Sequence, residues 1–173
     1  AYLNKTPFYH IMHVPFKNSE IACDHLALEI RKAIAKLEEF GGMKVTDESL
    51  RASIDTYNKM RSLLTRMYEL RKREVPPLSG AEVLGITTTA MVMPKDQFNQ
   101  ELEALLPYLE KRKTSLKQVR PRVLVSSDLL DNPAYLELVE EQCLVAMDDM
   151  DTGSRYFTGE VDTTLDDPAY ALA

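Results

Sequence analysis

Two long stretches of helical periodicity decide the character of most of this chain. From Ser19 to Phe40 the apolar residues Cys23, Leu26, Ile30, Ile34 and Leu37 return at intervals of three and four, the spacing that lines one face of an α-helix. Ser19 stands where an N-cap is wanted, and Gly41-Gly42 where a helix stops. A second helix is expected from Thr46, with Asp47 and Glu48 in its first turn. Leu50, Ile54, Tyr57, Met60, Leu64 and Met67 form its apolar face, and Pro76-Pro77 ends it. The basic run Arg71-Lys72-Arg73 closes this pattern, where cations complement the partial negative charge of a helix C-terminus. Ser79-Gly80-Ala81-Glu82 has the form of a capping box and predicts a third helix through Val83, Leu84 and Ile86. After Pro94, Phe98, Leu102, Leu105, Leu106 and Leu109 make another stripe, which Pro107 should interrupt or kink.

The ends of the chain read differently. Residues 8–14 are aromatic and β-branched and are bracketed by Pro7 and Pro15, which predicts a short buried strand in need of partners for its backbone. Beyond Arg120-Pro121 comes a strand at 122–126, then Asn132-Pro133 as N-cap and first residue of a short helix to Gln142. A second strand is expected at 144–147. Strand, helix, strand is the pattern of a right-handed parallel βαβ unit. The expected fold is therefore α/β, a helical region leading into a Rossmann-like lobe. Residues 167–173 read as the first turn of a helix, so both ends look interrupted.

Composition narrows the function by exclusion. A net charge of −6 and a pI near 5.2 argue against a nucleic-acid face, which needs clustered Lys and Arg. Cys23 and Cys143 stand far apart with no CxxC or Cys/His spacing, so neither a metal motif nor a disulfide framework is expected, and a reduced cytosolic setting is the default. No apolar run approaches a membrane span and no charged leader precedes one. His10 and His13 point to opposite faces of the expected strand and are not chelators. His25 should be a partly exposed helix residue, the two cysteines small core residues, and the eight methionines packing residues.

In parallel sheets ligands bind beyond the carboxyl ends of the strands. Ser126-Ser127-Asp128 and the segment 148–157 fall there. The latter sets Asp148, Asp149, Asp151, Thr152, Gly153, Ser154 and Arg155 close together, with the second strand expected to end at Met147 or Asp148 and Gly153 to turn with a positive φ. The carboxylates could hold a hard cation, pair with Arg155 and nearby N–H groups, or cap the next turn. Arg155 is the residue best shaped to grip a carboxylate or phosphate, and Asp149 is its nearest internal partner. Asp149, Thr152, Gly153 and Arg155 are the candidate substrate-binding residues; none is assigned a catalytic role.

Three phrases occur here in a familiar order: Val14-Pro15-Phe16-Lys17; Lys44-Val45-Thr46-Asp47-Glu48-Ser49-Leu50-Arg51 leading to Tyr57-Asn58-Lys59-Met60-Arg61; and Asp149-Met150-Asp151-Thr152-Gly153-Ser154-Arg155-Tyr156-Phe157. Pro76-Pro77-Leu78-Ser79-Gly80 and Asp131-Asn132-Pro133 fit the same pattern. Together they resemble subunits of the benzoyl-CoA reductase and 2-hydroxyacyl-CoA dehydratase family over nearly the whole chain. The resemblance implies an internal segment of a cytoplasmic subunit built from two Rossmann-like lobes joined by helices. Residues 1–17 would end the first lobe, 18–118 form the helical linking region, and 119–173 begin the second. It also implies a homologous partner subunit and an ATP-hydrolysing activator that supplies a low-potential electron. The electron would be used on an acyl-CoA, either to dearomatise benzoyl-CoA or to expel water from a 2-hydroxyacyl-CoA through a ketyl radical. The iron-sulfur cluster of such a subunit is held by cysteines, which are expected outside this segment. Family members often carry Cys where this chain has Asp151, which tilts the expectation toward benzoyl-CoA reductase. A dehydratase subunit and a non-catalytic assembly subunit are the alternatives.

Overall fold

The computed structural model describes residues 6–113 and 120–173. The segments 1–5 and 114–119, where edges of the expected regions 1–17, 18–118 and 119–173 fall, lie outside the described residues. Two compact units divide the chain, Ala1–Asp55 with Val161–Ala173, and Thr56–Glu160.

The first unit is built on α1 (Glu20–Gly41). The Ser19 hydroxyl accepts from the Ala22 N–H at 3.3 Å, and Gly42, at φ +66°, donates its N–H to the Glu38 carbonyl at 2.9 Å, so both helix ends are closed as expected. The start of α2 (Asp47–Glu69) is closed by an exchange between Thr46 and Ser49, each hydroxyl accepting the other residue's N–H at 3.2 and 3.1 Å. The short helix α7 (Pro168–Ala171) lies against α1, capped by Asp167, whose carboxylate also pairs with Arg31. The Arg51 guanidinium donates to the carbonyls of Leu165 and Asp166. The interior of this unit is thin: Ala27, Glu29, Ile54 and Ala169 are buried, whereas Leu37 of the expected apolar stripe stays half exposed.

The strand expected over residues 8–14 is absent. Among the described residues this unit has no strand beside it, so its backbone finds no ladder, and Tyr9, Ile11 and Val14 lie open to solvent. One anchor is the His13 N–H, which donates to the Glu29 carboxylate at 3.2 Å.

The second unit holds the larger core. The rest of α2 runs through a 3-10 turn (Leu70–Lys72), and α3 (Gly80–Val92) and α4 (Lys95–Lys111) pack with it around Met60, Leu64, Met67, Leu102 and Leu106. The capping box at Ser79 and Glu82 is present with both bonds, at 3.0 and 2.9 Å. Pro107 does not end α4; the helix continues four residues past it to Lys111, and Leu106 and Leu109 on either side are buried. Packing of that stripe outweighs the lost backbone bond.

Next come β1 (Arg122–Ser127), α5 (Ala134–Glu140) and β2 (Leu144–Met150), and the two strands pair in parallel. The register sets Arg122 against Leu144 and Ser126 against Asp149, with an irregularity between Val123 and Leu124. Ala81 and Leu84 of α3 meet Leu136 of α5 and Met150 of β2 in a second small core. A Cβ on Gly80 would stand 2.7 Å from the Val145 Cβ, so glycine there lets α3 approach β2. The buried Glu140 carboxylate accepts the N–H groups of Gly80 (2.7 Å), Ala81 (3.2 Å) and Val145 (3.3 Å), tying α5 to the positive end of α3 and to the strand. The mixed architecture of helices and a small parallel sheet agrees with the α/β expectation. Among the described residues, no helix is long and apolar enough to cross a membrane.

Candidate functional site

β2 runs further than its sequence suggests. Asp148, Asp149 and Met150 belong to the strand rather than to a loop after it, and this changes what each carboxylate does. Successive side chains on a strand alternate in direction. Asp148 turns inward and is buried; Asp149 turns outward and is partly exposed; Met150 is buried.

Asp148 is surrounded on all sides. Its Oδ2 accepts from the Arg71 guanidinium, both side chains being almost wholly buried. A second Arg71 N–H reaches the Val145 carbonyl at 3.1 Å, and the guanidinium lies 4.8 Å from the centre of the Tyr68 ring. Oδ1 accepts from the Ser154 N–H at 2.7 Å and from the Tyr68 hydroxyl at 3.3 Å. The Tyr68 phenol is pushed well above its ordinary value, chiefly by burial and then by the charge of Asp148. The basic run at the end of α2 is therefore not a uniform set of surface charges. Lys72 pairs with the exposed Glu69 at 2.6 Å, whereas Arg71 turns inward to β2.

Gly153 has no positive φ; its backbone lies at φ −118°, ψ −126°. Its small size matters instead, because a Cβ there would overlap the Asp148 Oδ1 and come within 3.3 Å of the Met150 Cε. Thr152 is buried and faces away from solvent. Its hydroxyl donates to the Leu130 carbonyl at 2.6 Å and accepts the Leu130 N–H at 3.2 Å, binding the turn to the chain after β1. The Asp151 N–H adds a bond to the Asp128 carbonyl at 2.9 Å.

At the surface, α6 (Ser154–Phe157) carries Arg155. Its Nε and one terminal nitrogen grip both oxygens of Asp149 at 2.6 and 2.7 Å, and the other terminal nitrogen reaches Asp151 at 3.1 Å. Ser126, opposite Asp149 in the sheet, donates from its hydroxyl to Asp149 Oδ2 at 3.5 Å. The Arg155 hydrogen bonds hold Asp149 below its ordinary carboxylate value, and the two carboxylates raise Arg155. Asp149 and Asp151 realise the pairing with Arg155, whereas Asp148 pairs with Arg71 and accepts the Ser154 N–H at the start of α6. Asp149 and Arg155 thus meet at the surface, while Thr152 and Gly153 shape the turn from beneath.

Sequence reasoning does not single out the trio of Asp148, Arg71 and Tyr68. The signal available is an aspartate pair followed by an apolar residue, Asp148-Asp149-Met150, which lets the strand continue past Met147. Cys23 and Cys143 are half-buried rather than core, and His10, His13 and His25 are exposed. Among the described residues no three His, Cys, Asp or Glu side chains converge as a metal site. They do not fit an iron-sulfur cluster, whose thiolate ligands would have to converge on one point.

Comparison with known proteins extends these observations. The family model described as 2-hydroxyglutaryl-CoA dehydratase, D-component, matches residues 1–173. The chain is 29% identical to a benzoyl-CoA reductase subunit of Thauera aromatica over 151 residues, which is 85% of this chain and 39% of that protein. It is 30% identical to the beta subunit of the (R)-2-hydroxyglutaryl-CoA dehydratase of Acidaminococcus fermentans over 79% of this chain and 36% of the relative. A third relative, the (R)-phenyllactyl-CoA dehydratase beta subunit of Clostridium sporogenes, is 22% identical over 87% of this chain and 41% of its own length. The chain thus spans about two fifths of the length of these relatives. With the family pattern matched from its first residue to its last, this chain belongs to the 2-hydroxyglutaryl-CoA dehydratase D-component family.

Proposed function

We propose that this chain is part of a subunit of an iron-sulfur enzyme that reduces an aromatic acyl-CoA, of the benzoyl-CoA reductase type. The observation that carries it is the likeness to the Thauera benzoyl-CoA reductase subunit, which at 29% identity runs over 85% of the chain. Asp151 leans the same way, since the resemblance implies cysteine at this position in many members of the family. In this proposal β1, α5 and β2 begin a Rossmann-like lobe, supported by their parallel pairing across a helix. The subunit works in the cytoplasm with a homologous partner and an ATP-hydrolysing activator. The cluster, which would supply the low-potential electron, is held by cysteines elsewhere in the full-length subunit.

Asp149, Thr152, Gly153 and Arg155 border the acyl-CoA site in this proposal, since they stand at the carboxyl edge of the parallel strands. Arg155 acts there as a brace, because both of its faces are already engaged by Asp149 and Asp151.

The second reading is a 2-hydroxyacyl-CoA dehydratase subunit, favoured by the 30% identity to the Acidaminococcus protein. The test is to give the full-length protein, its partner and its activator both kinds of thioester and identify the products. Reduction of the benzoyl ring is expected. Loss of water from a 2-hydroxyacyl-CoA without ring reduction overturns the reductase assignment in favour of the dehydratase.

A further inference from the structure

A buried Arg–Asp pair needs a reason beyond stability. Apolar residues of similar volume in its place are often as stable or more so, because both charges must leave water. The arrangement around Asp148 supplies one. Its two ends hold the same residue: the side-chain Oδ1 accepts the Ser154 N–H at 2.7 Å, and its main-chain carbonyl accepts the Ser154 hydroxyl at 2.8 Å. Ser154 opens the turn of α6 that carries Arg155. Gly153 leaves this approach open, since a Cβ would occupy the place of Oδ1. Arg71 holds the other oxygen and is itself fixed to the Val145 carbonyl.

Asp149, the next residue of β2, points the other way and receives the Arg155 guanidinium. The turn is thus held from inside by Asp148 and from outside by Asp149.

We infer that Asp148, with Arg71 and Gly153 fitted around it, is the positioning residue for the Gly153–Arg155 turn, and sets where Arg155 and Asp149 stand at the strand edge. It touches no substrate and acts through Ser154. Its bearing on acyl-CoA rests on the proposed function above; its hold on the turn does not.

The test uses the full-length subunit with its partner and compares Asp148→Ala, Gly153→Ala and the double variant. In Asp148→Ala, amide hydrogen exchange at Ser154 and its neighbours should rise about tenfold beyond any change in α3, as expected for loss of a charge-assisted hydrogen bond. KM for benzoyl-CoA should rise by about as much with kcat changed less, because the backbone of the Thr152–Ser154 turn shifts, which loss of the Arg155 side chain alone does not cause. Gly153→Ala should reproduce both effects. The double variant should be no worse than Asp148→Ala alone, because removing the carboxylate makes room for the new Cβ.

Additive losses in the double variant, unchanged exchange at Ser154, or exchange that rises equally throughout the unit would overturn the inference. If Asp148→Ala does not fold, Asp148→Asn keeps the shape and is read by the same exchange measurement. Wild-type protein that turns over no thioester defeats the proposed function alone, since exchange and the double-variant comparison still decide the role of Asp148.

Discussion

Arg71 shows what a single residue can hide within a sequence pattern. Flanked by Lys72 and Arg73, it reads as the basic end of a helix, yet it is the member of the run that is buried and paired to a strand distant in sequence. Arg71→Met should destabilise the fold by about 3–5 kcal/mol, since it leaves the Asp148 carboxylate buried without its cation. Adding Asp148→Asn should recover part of that loss, as read by denaturant midpoints of both variants.

Arg155 is the contrasting case, a surface residue with two carboxylate partners. Arg155→Leu should lower the thermal midpoint and leave acyl-CoA affinity unaltered; weakened affinity at an unchanged midpoint would make Arg155 a ligand-gripping residue instead.

Glu29 gives a pH signature. Its hydrogen bond from Lys32, then the one from the His13 N–H, depresses its carboxyl from about 4.5 to about 2. A depressed value means that the folded state prefers the ionised form. That stability is fully present above about 4.5 and is lost as the pH falls toward 2. Acid titration of the thermal midpoint should show this fall, and Glu29→Gln should flatten it.

At the level of elements, sequence signals hold where the chemistry is local. The caps at Ser19, Gly42 and Ser79 lie within a few residues of the helix ends that they close. The parallel order of β1 and β2 follows from the intervening helix. What is not legible depends on partners far along the chain. The run at 8–14 has strand-forming residues but no adjacent strand among the described residues of its unit, and β2 extends past Met147 because Asp148 meets a cation from the end of α2. Gly153 is a constrained position, but crowding rather than a positive φ constrains it, and crowding by a side chain five residues earlier leaves no trace in turn statistics.

Glu140 belongs to the same group, a carboxylate at the end of α5 that caps the start of α3. Glu140→Ala should cost about 1–3 kcal/mol through unsatisfied N–H groups. The first turn of α3 should then exchange its amides faster than its last, which hydrogen exchange followed along the helix will check.

For the whole molecule, the family is legible from phrases spread along the chain, and the match over residues 1–173 agrees with it. The distribution of apolar surface is less legible. Periodicity identifies the face of α1 but not that Leu37 on that face remains exposed, because periodicity reports amphipathicity and not what covers it.

The central claim, that the chain is part of an acyl-CoA enzyme, is tested most directly by binding. Benzoyl-CoA should be titrated calorimetrically into the full-length subunit joined to its partner, with benzoate and free CoA in parallel. Saturable binding of the thioester, tighter than that of either half, is the result expected; no binding of benzoyl-CoA, or binding no tighter than that of free CoA, would contradict it.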